Sequence, residues 1–159
     1  MITRRDLAAA ALAAGLTLVC VTYADEAKGL LDSSAWQWKD LAPQKTPVGE
    51  RRDVVRQPTR TLDELEMHVS TLNPHAASHA PHTHPNEEMV IVKEGTLQAH
   101  VNGKEIVVPA GGVLFFASMQ PHAVRNAGDT PATYYVINWA SRGMRRERAP
   151  APPAAAPAR

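Results

Sequence analysis

The sequence predicts an all-β fold, a single-domain jelly-roll barrel, and three observations carry that expectation. Short segments with period-2 alternation of apolar and polar residues recur through the middle of the chain, separated by turn-forming clusters. Asn102-Gly103 lies between two of them, the strongest short-range hairpin signal because both residues tolerate a positive φ. Beyond the N-terminal leader no window carries a helical apolar stripe, and Leu62 to Leu65 can form one helical turn at most. Strands spaced about 8 to 12 residues apart with turns between them indicate a sandwich or barrel.

The elements follow in chain order. Residues 1–24 begin with Arg4 and Arg5, continue with an apolar run from Leu7 to Val21, and end on Thr22-Tyr23-Ala24, which is the order of an export signal. The run is rich in alanine and shorter than the roughly 20 apolar residues of a spanning helix, which disfavours a membrane anchor. Thr3-Arg4-Arg5-Asp6-Leu7 resembles the twin-arginine export signature, with the ordinary secretory route as the alternative. Cys20 follows Leu18-Val19, a poor match to a lipoprotein processing site. The expected location of the protein is therefore periplasmic or otherwise extracytoplasmic.

Residues 25–59 read as an N-terminal arm with the first strands, one of them opening at Trp36-Gln37-Trp38. Residues 60–139 read as the barrel. Leu65 to Leu72 alternates cleanly, and Met89 to Val92 is an apolar, mostly β-branched run suited to a buried strand. Thr96 to Val101 and Lys104 to Val108 flank the Asn-Gly turn, and Val113 to Phe116 and Tyr134 to Trp139 complete the set. Asn126 to Asp129 reads as a turn. Trp36, Trp38 and Trp139 are expected in the core. Residues 140–159 are dominated by Pro, Ala and Arg and read as a disordered tail.

Charge narrows the function classes. The chain carries 17 basic and 16 acidic side chains, a formal +1. Two of the basic residues lie in the leader and five in the tail, which leaves residues 25–139 with 10 basic against 14 acidic side chains. An acidic barrel without a clustered basic face is not a phosphate-neutralising nucleic-acid binder. The single cysteine rules out an internal disulfide or a thiolate metal cage.

The histidines are the informative feature. His82 and His84 are two apart, so on an extended segment both imidazoles project to one side, and Glu88 has the same parity. Pro85 marks a bend that can return the Glu88 carboxylate to the same point, whereas Glu87 should face away. Neutral imidazoles with a carboxylate suit one divalent transition metal such as Mn, Fe, Ni or Zn. The competing reading is a solvated, His-rich loop with no ion. His75 and His79 read as surface loop residues, with a pocket acid/base or a fifth ligand as the alternative for His79. His68 reads as exposed or sheet-facing and His100 as solvent-side. Met119 and Gln120 stand before His122 and can line a pocket mouth or form an ordinary turn.

The stretch HTHPNEEMVIVKEG, from His82 to Gly95, resembles the first motif of the cupin superfamily, in its small single-domain form: His-x-His, three residues, Glu, six residues, Gly. Gly111, His122 and Asn126 match the second motif. Ala117 and Met119 stand where that motif has Pro and Gly, and Ala76 stands where the first motif has its leading Gly. The resemblance spans residues 60–139. It implies a small barrel in which His82, His84, Glu88 and His122 hold one divalent ion, leaving two positions open on an octahedral metal. Open positions favour chemistry on a small oxygen-rich substrate over a closed structural site. The superfamily includes dioxygenases, decarboxylases and isomerases, so the resemblance selects no reaction. A non-catalytic module that binds a metal or small ligand is the alternative, and a metal-free assembly domain a third. By the same resemblance a homodimer built on residues 36–56 is expected, with no stable membrane insertion once the leader is removed.

Overall fold

The structure is a computed structural model and describes residues 29–144. The expected export signal, Cys20 and residues 145–159 of the Pro/Ala/Arg tail lie outside the described residues, while the first two residues assigned to that tail, Ala140 and Ser141, end the last strand. Nine strands run in the order β1 (Gln44–Thr46), β2 (Gly49–Gln57), β3 (Leu62–Leu72), β4 (Glu87–Glu94), β5 (Thr96–Val101), β6 (Lys104–Pro109), β7 (Val113–Phe116), β8 (His122–Asn126) and β9 (Ala132–Ser141). They form a six-stranded sheet, β1-β2-β3-β9-β4-β7, facing a three-stranded sheet, β6-β5-β8. All pairings are antiparallel. This is the expected all-β jelly roll.

Strand alternation builds the core. From the large sheet come Leu72, Val90, Val92, Leu114, Phe116, Tyr134 and Val136; from the small sheet Leu97, Ala99, Val108 and Val124. Each is at most 8% exposed, and burying one such aliphatic side chain contributes roughly 1.5–3 kcal/mol. The β5–β6 hairpin turns at Asn102 (φ 50°) and Gly103 (φ 76°), the pair of positive dihedrals that matches the twist of the flanking strands. Gly95, between β4 and β5, has φ 80°, and a Cβ there would lie 2.8 Å from both Cα and Cβ of Ala132. Only glycine fits that crossing.

Several expectations fail, each for a physical reason. Trp36-Gln37-Trp38 opens no strand; a single 3-10 turn spans Trp38–Asp40. Trp36 and Trp38 are 42% and 43% exposed, not core residues. Trp38 instead takes two cations, with Arg52 4.7 Å and Lys93 4.5 Å from its ring centroid. Trp139 is half-buried: it stacks on Phe115 at 6.2 Å and donates its indole N–H to Glu87 at 3.0 Å. Leu62 to Leu65 begins β3 and forms no helical turn. Strands β1 and β2 are the strands expected within residues 25–59, though neither opens at Trp36, whereas β8 goes beyond the sequence reading. β2 carries three Arg, one Glu and one Asp, and its charged residues, joined in ion pairs, obscure the alternation.

Asn126 is the polar centre of the fold. It is fully buried at the end of β8 and donates its amide N–H groups to the carbonyls of Thr130 (2.8 Å), Asn73 (3.1 Å) and Leu72 (3.3 Å). Its Oδ1 accepts from the Gly128 N–H at 2.9 Å. The side chain thereby ties the β8–β9 turn to the exit of β3. Asn126→Ala strands these groups in the interior and is expected to cost about 2–4 kcal/mol, measured by urea unfolding of the purified protein.

Candidate metal centre

Two of the site's imidazoles come from the segment between β3 and β4 and one from β8. The segment is fastened to the exposed edge of β8 by backbone bonds. His82 and His122 exchange N–H to O=C bonds of 3.1 Å in both directions, Ser78 N–H reaches Val124 O at 3.1 Å, and Asn126 N–H reaches Ala76 O at 2.9 Å. Ala76, where the cupin motif has glycine, is partly buried and packs against the core. Residues two apart on this extended run then present His82 and His84 together, as the sequence predicts.

One ligand nitrogen from each of His82, His84 and His122 lies within 4.8 Å of the other two. The ring centroids are 4.7 to 5.2 Å apart. Burial is graded: His82 is exposed, His84 half-buried and His122 buried against Phe116, whose ring stacks on it at 4.4 Å. The outer nitrogens are held by backbone. His84 Nδ1 donates to Asn86 O at 2.9 Å and His122 Nδ1 to Gln120 O at 2.8 Å. Because a carbonyl only accepts, the ring proton sits on Nδ1, and Nε2 of both rings is a bare acceptor. Among the described residues, His122 Nε2 is the one buried side-chain polar atom without a hydrogen-bond partner. Converging acceptors with an orphaned member fit a cation, and three imidazoles suit a divalent transition ion. Burial, then the neighbouring rings of His79, His122 and His84, lower the His82 pKa and keep that imidazole in its ligating form.

Glu88 stands at the start of β4. Its Oε2 is 3.5 Å from His84 Nε2 and accepts from Asn138 Nδ2 at 3.3 Å. Glu87 points to the other face of the sheet, onto Trp139, as its parity predicts. His79 lies beside the cluster, its ring 4.1 Å from that of His82, but its Nδ1 is engaged with Ala80 O. His75 pairs with Asp129 and His100 with Glu105, both away from the cluster.

One cavity borders the cluster, and a second lies beyond it. The first, of about 310 Å³, opens over His82, His84 and Asn138. The second, of about 390 Å³, extends into the barrel between Val124, Tyr134 and Val136. Both are lined by Arg51, His68 and Glu88. Burial pushes the Tyr134 phenol up to about 12, despite the nearby Ser70 and Ser78 hydroxyls, so it remains a neutral hydroxyl in the cavity wall. His68 departs from the sequence reading. It is half-buried and faces these cavities, with Glu66 on the same side of β3; Met67 and Val69 occupy the opposite face. Arg51, Glu66 and Asn138 were not legible as cavity residues, because each reads as an ordinary polar strand position.

A family model described as the cupin domain matches residues 68–138. The barrel is a cupin fold. Among solved structures it is similar to an RmlC-like cupin from Shewanella frigidimarina (16% identity, 70% of this chain and 95% of that one, TM-score 0.58). It is also similar to KdgF from a Halomonas species (15% identity, 71% and 99%, TM-score 0.58). A third similar structure is described as a predicted oxalate decarboxylase from Thermotoga maritima (19% identity, 67% and 99%, TM-score 0.54). No curated protein matches the sequence. The two cupin motifs fall on the three histidines and on β8, and no helix among the described residues is long and apolar enough to cross a membrane.

The motif departures have visible consequences at the mouth. Met119, at the motif's glycine position, has φ 60°, and its N–H donates to His84 O at 2.9 Å. A β-carbon in the left-handed region costs about 1–2 kcal/mol, offset in part by the lower chain entropy of a non-glycine residue when unfolded. The side chain itself is 60% exposed and gains little from packing. Met119→Gly is expected to stabilise the protein by about 0.5–1 kcal/mol without changing the histidine cluster, measured by thermal unfolding and metal titration in parallel.

Proposed function

We propose that this cupin is an exported, mononuclear metal protein that acts on a small oxygen-rich molecule. The observation that carries the reading is the buried, partnerless Nε2 of His122 converging with the nitrogens of His82 and His84 beside a cavity. Glu88 is the proposed fourth ligand: its carboxylate already approaches His84 Nε2 and is held from behind by Asn138. Mn, Fe, Ni and Zn are the candidate ions, since the donor set contains imidazole and carboxylate and no thiolate. When bound, the ion would supply Lewis-acid polarisation of a carbonyl, carboxylate or hydroxyl oxygen. The chain's own residues hold the substrate: Arg51 and Asn138 offer donors, Tyr134 a neutral hydroxyl, and Val124 and Val136 an apolar wall. Access from the cavity over His82 and His84 favours turnover or reversible ligand binding over a closed structural ion.

Elemental analysis of the purified chain is expected to find one divalent ion per protein. His122→Ala should lower metal affinity by more than roughly 100-fold, beyond the effect of losing an outer-sphere partner. A wild-type protein that retains no metal after loading would sink the reading. Imidazoles must be neutral to ligate, so acidification releases the ion. Occupancy is expected to be full at neutral pH and to fall on acidification, with His82 keeping its neutral, ligating form to lower pH than an ordinary imidazole; equilibrium dialysis against buffers of graded pH reads this directly.

The Arg4-Arg5 signature supports export by the twin-arginine route. Replacing both arginines with lysine should leave the protein in the cytoplasm, assessed by fractionation; unchanged export would point to the ordinary secretory path. A homodimer is proposed through the segment around Trp36 to Arg56, where edge strand β1 and the exposed Trp36 provide unpaired backbone and apolar surface.

A further inference from the structure

A second constellation stands on β2 and β3, outside the histidine cluster but on the same cavities. Glu66 is only 8% exposed, and its Oε1 accepts from Arg51 Nη2 and from His68 Nδ1, each at 2.7 Å. Arg51 is itself braced by Asp53, whose Oδ1 accepts from Nε at 2.6 Å. A carboxylate clamped by a guanidinium accepts and does not donate, so the His68 ring proton sits on Nδ1 and Nε2 is the acceptor. This is the arrangement of a base oriented by a third group. His68 is half-buried, and its ring lines both the cavity over His82 and His84 and the one running into the barrel. An ion network that merely ties β2 to β3 would need Arg51 and Glu66. It would not need an imidazole on the cavity wall.

We propose that His68 is a proton-transfer residue for a small, enolisable oxo- or hydroxy-acid held at the three-histidine site, with Glu66 and Arg51 as positioning residues. The inference rests on the metal-dependent reading above. In the step, a C–H bond next to the substrate carbonyl breaks and an N–H bond forms at His68 Nε2. The electron pair stays on the substrate as its enolate, and the imidazolium faces the Glu66 carboxylate. Once the imidazolium N–H has exchanged with solvent, its return to the same carbon gives hydrogen exchange; where that carbon bears a hydroxyl, the enolate is an enediolate, and return of the proton to the former carbonyl carbon, with the hydroxyl proton passing to the other oxygen, gives isomerisation. Neither requires an oxidant, a reductant or a further co-reactant.

Two measurements test this. In the metal-free full chain, ¹⁵N spectra of the histidine rings should show His68 in the Nδ1–H form; an Nε2–H ring overturns the proposal. In the Zn- and Mn-loaded chain, deuterium uptake from D₂O into pyruvate and 2-oxobutyrate is followed by mass spectrometry. His68→Gln should lower the exchange rate by at least about 100-fold, with metal content and pyruvate affinity unchanged. Thermal unfolding confirms that the variant folds, and His68→Asn serves if it does not. Equal exchange by the variant, or a metal-loaded wild type with no exchange above background, overturns this proposal alone. A wild type that binds no metal overturns the metal reading and this inference with it.

Discussion

Everything at the mouth of this barrel depends on one edge. β8 is the outer strand of the small sheet, and an open strand edge carries unpaired N–H and C=O groups. Here the connection between β3 and β4 satisfies them, through the bonds of Ala76, Ser78 and His82 to Asn126, Val124 and His122. A segment of residues 73–86 with no strand of its own is thus held along a strand. The backbone bonds that protect the edge also bring two imidazoles against a third. Closing the sheet and assembling the site are the same event.

The interior divides along the barrel axis. Toward Leu97, Ala99 and Val92 it is closed and apolar. Toward the mouth, the inward positions of β3 carry Glu66, His68 and Ser70, and β4 begins with Glu88. These polar groups are tolerated because they are paired: Glu66 with Arg51 and His68, Glu88 with Asn138. Among the described residues, His122 alone places a buried atom at the boundary without a protein partner, which is why the boundary reads as a binding site and not as an ordinary core.

Much of this was legible in the sequence. Strands such as Thr96 to Val101 announce themselves by alternation and by the Asn-Gly turn, since local backbone geometry fixes both. His82, His84 and His122 were visible because a candidate metal cluster combines residue type with a recognisable spacing. Trp36 and Trp38 misled because large aromatics are usually buried, yet Trp38 meets the charges of Arg52 and Lys93 near the surface. β3 misled in another way. Both its faces are covered, so alternation locates the strand without saying which face is inward, and the polar set of Glu66 and His68 proved to face the cavities. β8 was hidden because its five residues include His122, an arginine and the buried Asn126, with only Val124 as a typical strand residue.

The pairing of β3 with β9 bears on when the molecule can fold. Leu72 meets Ala132 and Leu62 meets Ser141, so β3 lacks its inner partner until residues 132–141 are in place. β9 also links β3 to β4, and without it the large sheet is two fragments. Such long-range closure is intrinsically slow, because the loop entropy must be overcome before the contacts form. Folding of this barrel therefore waits for β9 and does not close strand by strand.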